Sequence, residues 1–154
     1  MIGIVDNGMA PTSVTSTDPL KYVFNGLAVN ANHSVAGNTA GSNAVHPGWR
    51  DALLSAIVQG AWNQTAAWES NVAAEAKLTD ELMPLLETIT PGAGAYMNEA
   101  EVNNPGWKED YFGPNYDRLR SIKAAWDPDD LFYAKMAVGS DEWTVDEEDR
   151  LCKV

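Results

Sequence analysis

An α+β fold, a partial antiparallel sheet with flanking helices, is predicted by three features of the sequence. Residues 21–29 carry the β-branched and aromatic content of a strand. Residues 49–62 form an apolar run that follows Pro47-Gly48 and contains Gly60, which favours a second strand over a helix. Two further stretches, residues 68–89 and 114–126, repeat apolar side chains at helical spacing.

Before the first strand, residues 1–19 are rich in Gly, Pro, Ser and Thr and read as an irregular lead-in. The Asn25-Gly26 pair is a candidate turn or bulge within the first strand. Residues 30–44 are small and polar, as in a loop. In the first helical stretch Leu78, Leu82, Leu85, Leu86 and Ile89 fall on one face, and Pro84 is expected to kink or interrupt it. The block Pro91-Gly92-Ala93-Gly94 ends that helix, and residues 95–98 should leave it as a short extended segment. Pro114 suits the first turn of the second helix. That helix places Tyr116, Leu119, Ile122 and Trp126 on one side, with Arg118, Arg120 and Lys123 on the others. Asp127-Pro128 stops it, because the residue before proline is pushed out of the helical region.

Charge narrows the range of partners. With 22 acidic against 10 basic residues the net charge is −12, which repels a phosphate backbone and an anionic membrane surface. Neither nucleic acid nor a membrane is an expected partner. The acidic residues of the tail, residues 144–154, read as a solvated end. Cys152 is the single cysteine, so no intrachain disulfide and no cysteine-based metal site is available. Two glycosylation sequons, Asn32-His33-Ser34 and Asn63-Gln64-Thr65, matter only if the chain enters a secretory compartment.

The residues alone name no chemistry. A phosphate-binding glycine loop, a His-Glu-x-x-His pair and a Gly-x-Ser-x-Gly elbow are all missing. His33 and His46 are the only histidines and read as loop or surface residues. Acid–base work would fall to carboxylates or tyrosines.

One ordered series is more specific: Gly94-Ala95-Tyr96-Met97-Asn98-Glu99, then Trp107, then Tyr111-Phe112-Gly113-Pro114-Asn115-Tyr116-Asp117-Arg118-Leu119. Lys123, Asp127-Pro128 and Phe132 follow. Its order and spacing resemble the C-terminal signature of berberine-bridge-enzyme-like, FAD-linked oxidoreductases, with an Asn-Glu variant closest to the fungal branch. The resemblance implies that residues 20–90 belong to a substrate-binding domain and residues 91–143 to the berberine-like C-terminal segment. Upstream, Phe24-Asn25-Gly26 and the run from Val45 to Leu53 also resemble strands of that substrate-binding domain.

Family members pass a hydride from a small organic substrate to flavin while a protein base takes a proton, and dioxygen commonly reoxidises the flavin. By resemblance, Glu99 stands where some members carry a tyrosine base, and Asn98 and Tyr96 are cofactor-side contacts. Asn115 and Tyr116, on the turn entering the last helix, are the next cofactor candidates. No metal is implied. Arg118 reads as an ion-pair partner, and Trp107, Trp126 and Phe132 as core residues. The domain that holds most of the FAD in the family has no counterpart in this chain. The resemblance therefore implies an incomplete enzyme, expecting that domain upstream or in trans, and export only if a leader precedes it. Two other readings compete: a non-catalytic remnant, and a small module whose six tryptophans stack on carbohydrate.

Overall fold

The structure, a computed structural model, describes residues 22–39 and 41–154. The expected lead-in lies outside the described residues. Strand β1 (Tyr22–Ala28) pairs antiparallel with β2 (Leu54–Gly60) in unbroken register, from Tyr22 opposite Gly60 to Ala28 opposite Leu54. Asn25-Gly26 therefore neither turns nor bulges the strand. Asn25 Nδ2 donates to Gln59 Oε1 across the pair at 3.2 Å, and Gly26 leaves room for the Leu54 side chain. The second strand is shorter than the apolar run that predicts it, because Pro47–Arg50 forms a 3₁₀ turn. Between the strands the loop contains a single helical turn, α1 (His33–Ala36), capped by Asn32, whose side-chain oxygen accepts from Val35 N.

Helix α2 (Trp68–Lys77) runs beside the sheet, and Tyr22 Oη donates to its Ala74 carbonyl at 3.1 Å. Pro84 does interrupt the helical stretch. A π turn, Leu78–Leu82, separates α2 from α3 (Met83–Ile89), which has Pro84 in its first turn. Proline has no N–H to donate and its ring crowds the carbonyl four residues back, so the helix widens just ahead of it. The extra residue rotates everything beyond it. Leu78, Met83 and Leu86 line one concave wall, whereas Leu85 and Ile89 point to solvent and leave the predicted common face.

The segment after α3 departs from the extended form expected of it. Tyr96 is extended, but Met97–Glu99 closes into a 3₁₀ turn. Helix α4 (Trp107–Phe112) has no counterpart in the sequence reading. A 3₁₀ turn, Gly113–Asn115, links it to α5 (Tyr116–Trp126), which starts two residues later than predicted and ends at Asp127 as expected. Tyr111 and Phe112 of α4 are, with Ala74, the buried apolar residues among those described. Trp107 packs edge-on against Phe112 and Tyr116, with ring centroids 6.1 and 5.6 Å apart.

Helix α5 departs in part from the expected arrangement of its faces. Arg120 pairs with Glu142 and Lys123 with Asp127, turning these charges toward the rest of the chain. Only the end of the apolar stripe faces outward, at Ile122 and Trp126, while Tyr116 packs on Trp107 and Phe112. Trp126 is 86% and Phe132 78% exposed, so neither is core in this chain, and only Trp107 of the three is partly enclosed. Nothing among the described residues covers Trp126, Leu131 and Phe132, each more than three-quarters exposed. The acidic tail is also more ordered than a solvated end: β3 (Trp143–Val145) pairs with β4 (Leu151–Lys153). Asp146 holds the intervening loop by accepting from the backbone N–H groups of Glu148 and Arg150 at 3.0 and 2.9 Å. No helix is long and apolar enough to cross a membrane among the described residues.

Candidate functional site

The site is a cavity of about 190 Å³ between β2, the α2–α3 stretch and the segment from Ala93 to Glu101. Its apolar side comes from Ile57, Leu78, Met83 and Leu86. Glu87, Glu99, Glu101, Asp110 and the rings of Tyr96 and Tyr111 complete the wall. Tyr96 and Glu99 thus share one chamber. Asn98 turns away from it and donates from Nδ2 to Tyr96 Oη at 2.8 Å, so the pair that the resemblance nominates is joined directly. Trp49 meets the Tyr96 ring edge-on at 6.1 Å, fixing its plane from the far side.

Asn115 and Tyr116 stand elsewhere. Asn115 Nδ2 donates to the Val45 carbonyl at 3.1 Å and makes no side-chain cap for α5. Tyr116 Oη donates to Asp141 Oδ1 at 2.6 Å, and Lys108 Nζ reaches Asp141 Oδ2 at 2.7 Å while lying over the Tyr116 ring. Arg118 donates to the Gly41 carbonyl at 3.1 Å, a backbone contact in place of the expected ion pair.

His46 is the residue that sequence reasoning misplaced. It lies in a loop as expected, but it is 9% exposed, away from the surface, and its ring packs behind Gly94 of the cavity wall. Gly48 N donates to its Nδ1 at 3.0 Å, which leaves the proton on Nε2 to be donated to the Glu109 carbonyl at 3.1 Å. The imidazole lies against Gly94 and Gly113, where Cβ atoms would fall 2.4 and 2.7 Å from its nitrogens. Ala95 N donates to the Asp110 carbonyl at 2.7 Å, so the strip leading to Tyr96 is locked onto α4. The spacing of Gly94 and Gly113 was the available signal, but nothing local ties them to a histidine 48 residues upstream of the first.

The two tyrosines of α4 and α5 resist ionisation. Burial pushes Tyr111 up to about 12, and burial followed by the bond donated to Asp141 does the same for Tyr116. At Asp141 burial works in the raising direction, but the bonds from Lys108 and Tyr116 outweigh it and hold the carboxyl below its ordinary range. The Lys123 ammonium does likewise for Asp127. These shifts set both edges of a stability window. A tyrosine raised in the folded state contributes below its unfolded value of 10.0, and that contribution disappears as pH climbs toward 12. A lowered aspartate contributes above its unfolded value of 3.8 and loses it as pH falls through the folded one. Urea unfolding should therefore show a plateau at intermediate pH, with midpoints declining above about 10 and below about 4. Replacing Tyr116 with Phe should flatten the alkaline decline.

The dinucleotide does not fit this chamber. Its wall holds four carboxylates and no lysine, arginine or histidine to meet a diphosphate, and its volume is that of a small molecule or a single ring system. Nor do the described residues place three His, Cys, Asp or Glu side chains to hold a metal.

Residues 95–139 match the family model for berberine and berberine-like proteins. The FAD-linked oxidoreductase orf1 of Neocamarosporium betae is 38% identical over 148 residues, covering 93% of this chain and 25% of that protein. FAD-linked oxidoreductase ZEB1 of Gibberella zeae is 36% identical over 115 residues, 75% of this chain and 20% of its own length. Among solved structures, the VAO-type flavoprotein MtVAO615 of Myceliophthora thermophila is 32% identical with a TM-score of 0.74, over 92% of this chain and 24% of that one. The chain spans about a quarter of the length of such relatives. Its motif order, its fold and these likenesses agree: the chain belongs to the berberine-bridge-enzyme-like family of FAD-linked oxidoreductases.

Proposed function

We propose that this chain supplies the substrate-side wall of an FAD-linked oxidoreductase. The whole enzyme takes a hydride from a small organic or secondary-metabolite substrate onto flavin, with dioxygen as the final acceptor. The observation that carries this reading is the chamber itself, where Tyr96 and Glu99 meet beside an apolar floor inside the family-matched segment. Glu99 receives the substrate proton. Tyr96 and Asn98, coupled through their 2.8 Å bond, present a polar edge to the cofactor side. Asn115 and Tyr116 serve at a distance, since their polar atoms are engaged by Val45 and Asp141, and they position the entry to α5.

FAD is held by polypeptide outside this chain, a reading that the four carboxylates of the chamber support. The outward stripe of Ile122, Trp126, Leu131 and Phe132 is the face against which that flavin-binding domain packs, because apolar area of this kind is stable only when covered. A graft tests the whole reading. Replacing the matching quarter of the Neocamarosporium betae relative with this chain should yield a soluble yellow protein, bleached anaerobically by alcohol or amine substrates. A yellow, folded graft that no member of such a panel bleaches would overturn the proposal.

The exposed stripe also favours a second reading, a non-catalytic remnant whose apolar surface has lost its cover. In that case the graft fails to fold or to take up flavin.

A further inference from the structure

The stretch from Trp62 to Asn71 is left unused by the chamber. Trp62 and Trp68 lie edge to face with centroids 5.4 Å apart, yet they are 56% and 65% exposed. An aromatic pair held in contact while facing water is a surface made for an apolar or sugar-like face. Between them sits the sequon Asn63-Gln64-Thr65.

That sequon is folded for presentation. Thr65 donates to Asn63 Oδ1 from both its backbone N, at 3.0 Å, and its hydroxyl, at 2.8 Å. The turn is anchored by Asn71, itself 5% exposed, which accepts from Asn63 N and donates to the Asn63 carbonyl, each at 3.0 Å. Asn71 stands three residues beyond Trp68 on α2, hence on the same helical face, so the anchor sets Asn63 beside the tryptophan pair. Oδ1 is engaged, while Nδ2 of the exposed Asn63 side chain makes no hydrogen bond among the described residues. The other sequon is different. Asn32 caps α1, accepts from Val35 N and Ser34 Oγ, and commits its Nδ2 to Asn30 Oδ1 at 2.9 Å.

We infer that Asn63 is an N-glycosylation site, and that the first sugars of its glycan lie over Trp62 and Trp68. The donor is a polyprenyl-diphosphate-linked oligosaccharide. Asn63 Nδ2 forms a bond to the sugar C1 as the C1–O bond to the diphosphate breaks, and the amide loses one proton. The exposed rings then gain a cover that the described residues do not provide, with apolar C–H faces of the sugar packed against them.

The full chain, carried into the yeast secretory pathway by a cleavable leader, tests this inference. Peptide mass spectrometry of the translocated, protease-protected fraction should find glycan on Asn63. Acrylamide quenching of tryptophan fluorescence should be lower than in the Thr65→Ala variant, which removes the sequon and keeps both rings. Wild-type quenching should rise to the variant's level after enzymatic removal of the glycan. A bare Asn63 in the translocated protein, glycan on Asn32 alone, or quenching unchanged by deglycosylation would each overturn the inference.

Discussion

Alanine at Gly94 should destabilise the protein by about 3 kcal/mol, the sum of overpacking and disrupted hydrogen bonds. The added methyl would stand 2.4 Å from His46 Nδ1, 2.6 Å from Cε1 and 2.8 Å from Cγ, so it collides with the ring face and not with a flexible tip. The ring has nowhere to go. Its Nδ1 accepts from Gly48 N and its Nε2 donates to Glu109, and Gly113 closes the third side with a left-handed φ of 53°. Moving the imidazole would leave a buried N–H and a carbonyl without partners. Against a typical total stability of roughly 5–15 kcal/mol this is a large fraction. Urea unfolding followed by circular dichroism should show a lowered midpoint at an unchanged slope.

The same geometry predicts strong coupling. His46→Ala alone is costly, because it empties a cavity and strands both hydrogen-bond partners. In the His46→Ala/Gly94→Ala double variant, however, the new methyl occupies space that the ring has vacated. The double variant should be destabilised by clearly less than the sum of the two single ones. Additive effects would show that the imidazole does not organise the Gly94 turn.

That hub marks where sequence reasoning stopped. Helix α5 was legible because Pro114 and Asp127-Pro128 act on their immediate neighbours, and β1 because its β-branched and aromatic side chains suit a strand. Helix α4 was not, since six residues bracketed by Pro105-Gly106 and Gly113-Pro114 are too few to display a period. The leucine face of residues 78–89 failed for a different reason. A π turn changes the angular step, so a count at 3.6 residues per turn assigns Leu85 and Ile89 to the wrong side. Trp126, on the apolar side of α5, and the aromatic Phe132 were assigned to a core, a rule that presumes every packing partner is present. Of the site, Tyr96, Asn98 and Glu99 were reachable through their neighbours in sequence. The chamber was not, because β2, α3 and the 93–101 segment meet only through tertiary contacts.

Glu99→Gln is the substitution with the largest expected effect on activity. In the grafted oxidase, loss of a positioned base should lower turnover by roughly 10²–10⁴-fold. The ratio of flavin to protein absorbance should stay constant, because the carboxylate lies in a chamber that does not accept the dinucleotide. Glutamine keeps the size and polarity of the side chain and removes its ability to take a proton, so the change isolates chemistry from packing. Glu99→Tyr supplies the complementary test. If a phenol at this place acts as the base, as the family resemblance implies, the acid limb of the rate profile should move to higher pH, since a phenol gives up its proton less readily than a carboxylic acid. Turnover by Glu99→Gln within twofold of the parent graft would remove Glu99 from the reaction and leave Tyr96 as the titratable neighbour to examine. A large loss with Glu99→Gln, partly recovered by Glu99→Tyr along with the shifted limb, is the pattern that only proton transfer at this position produces.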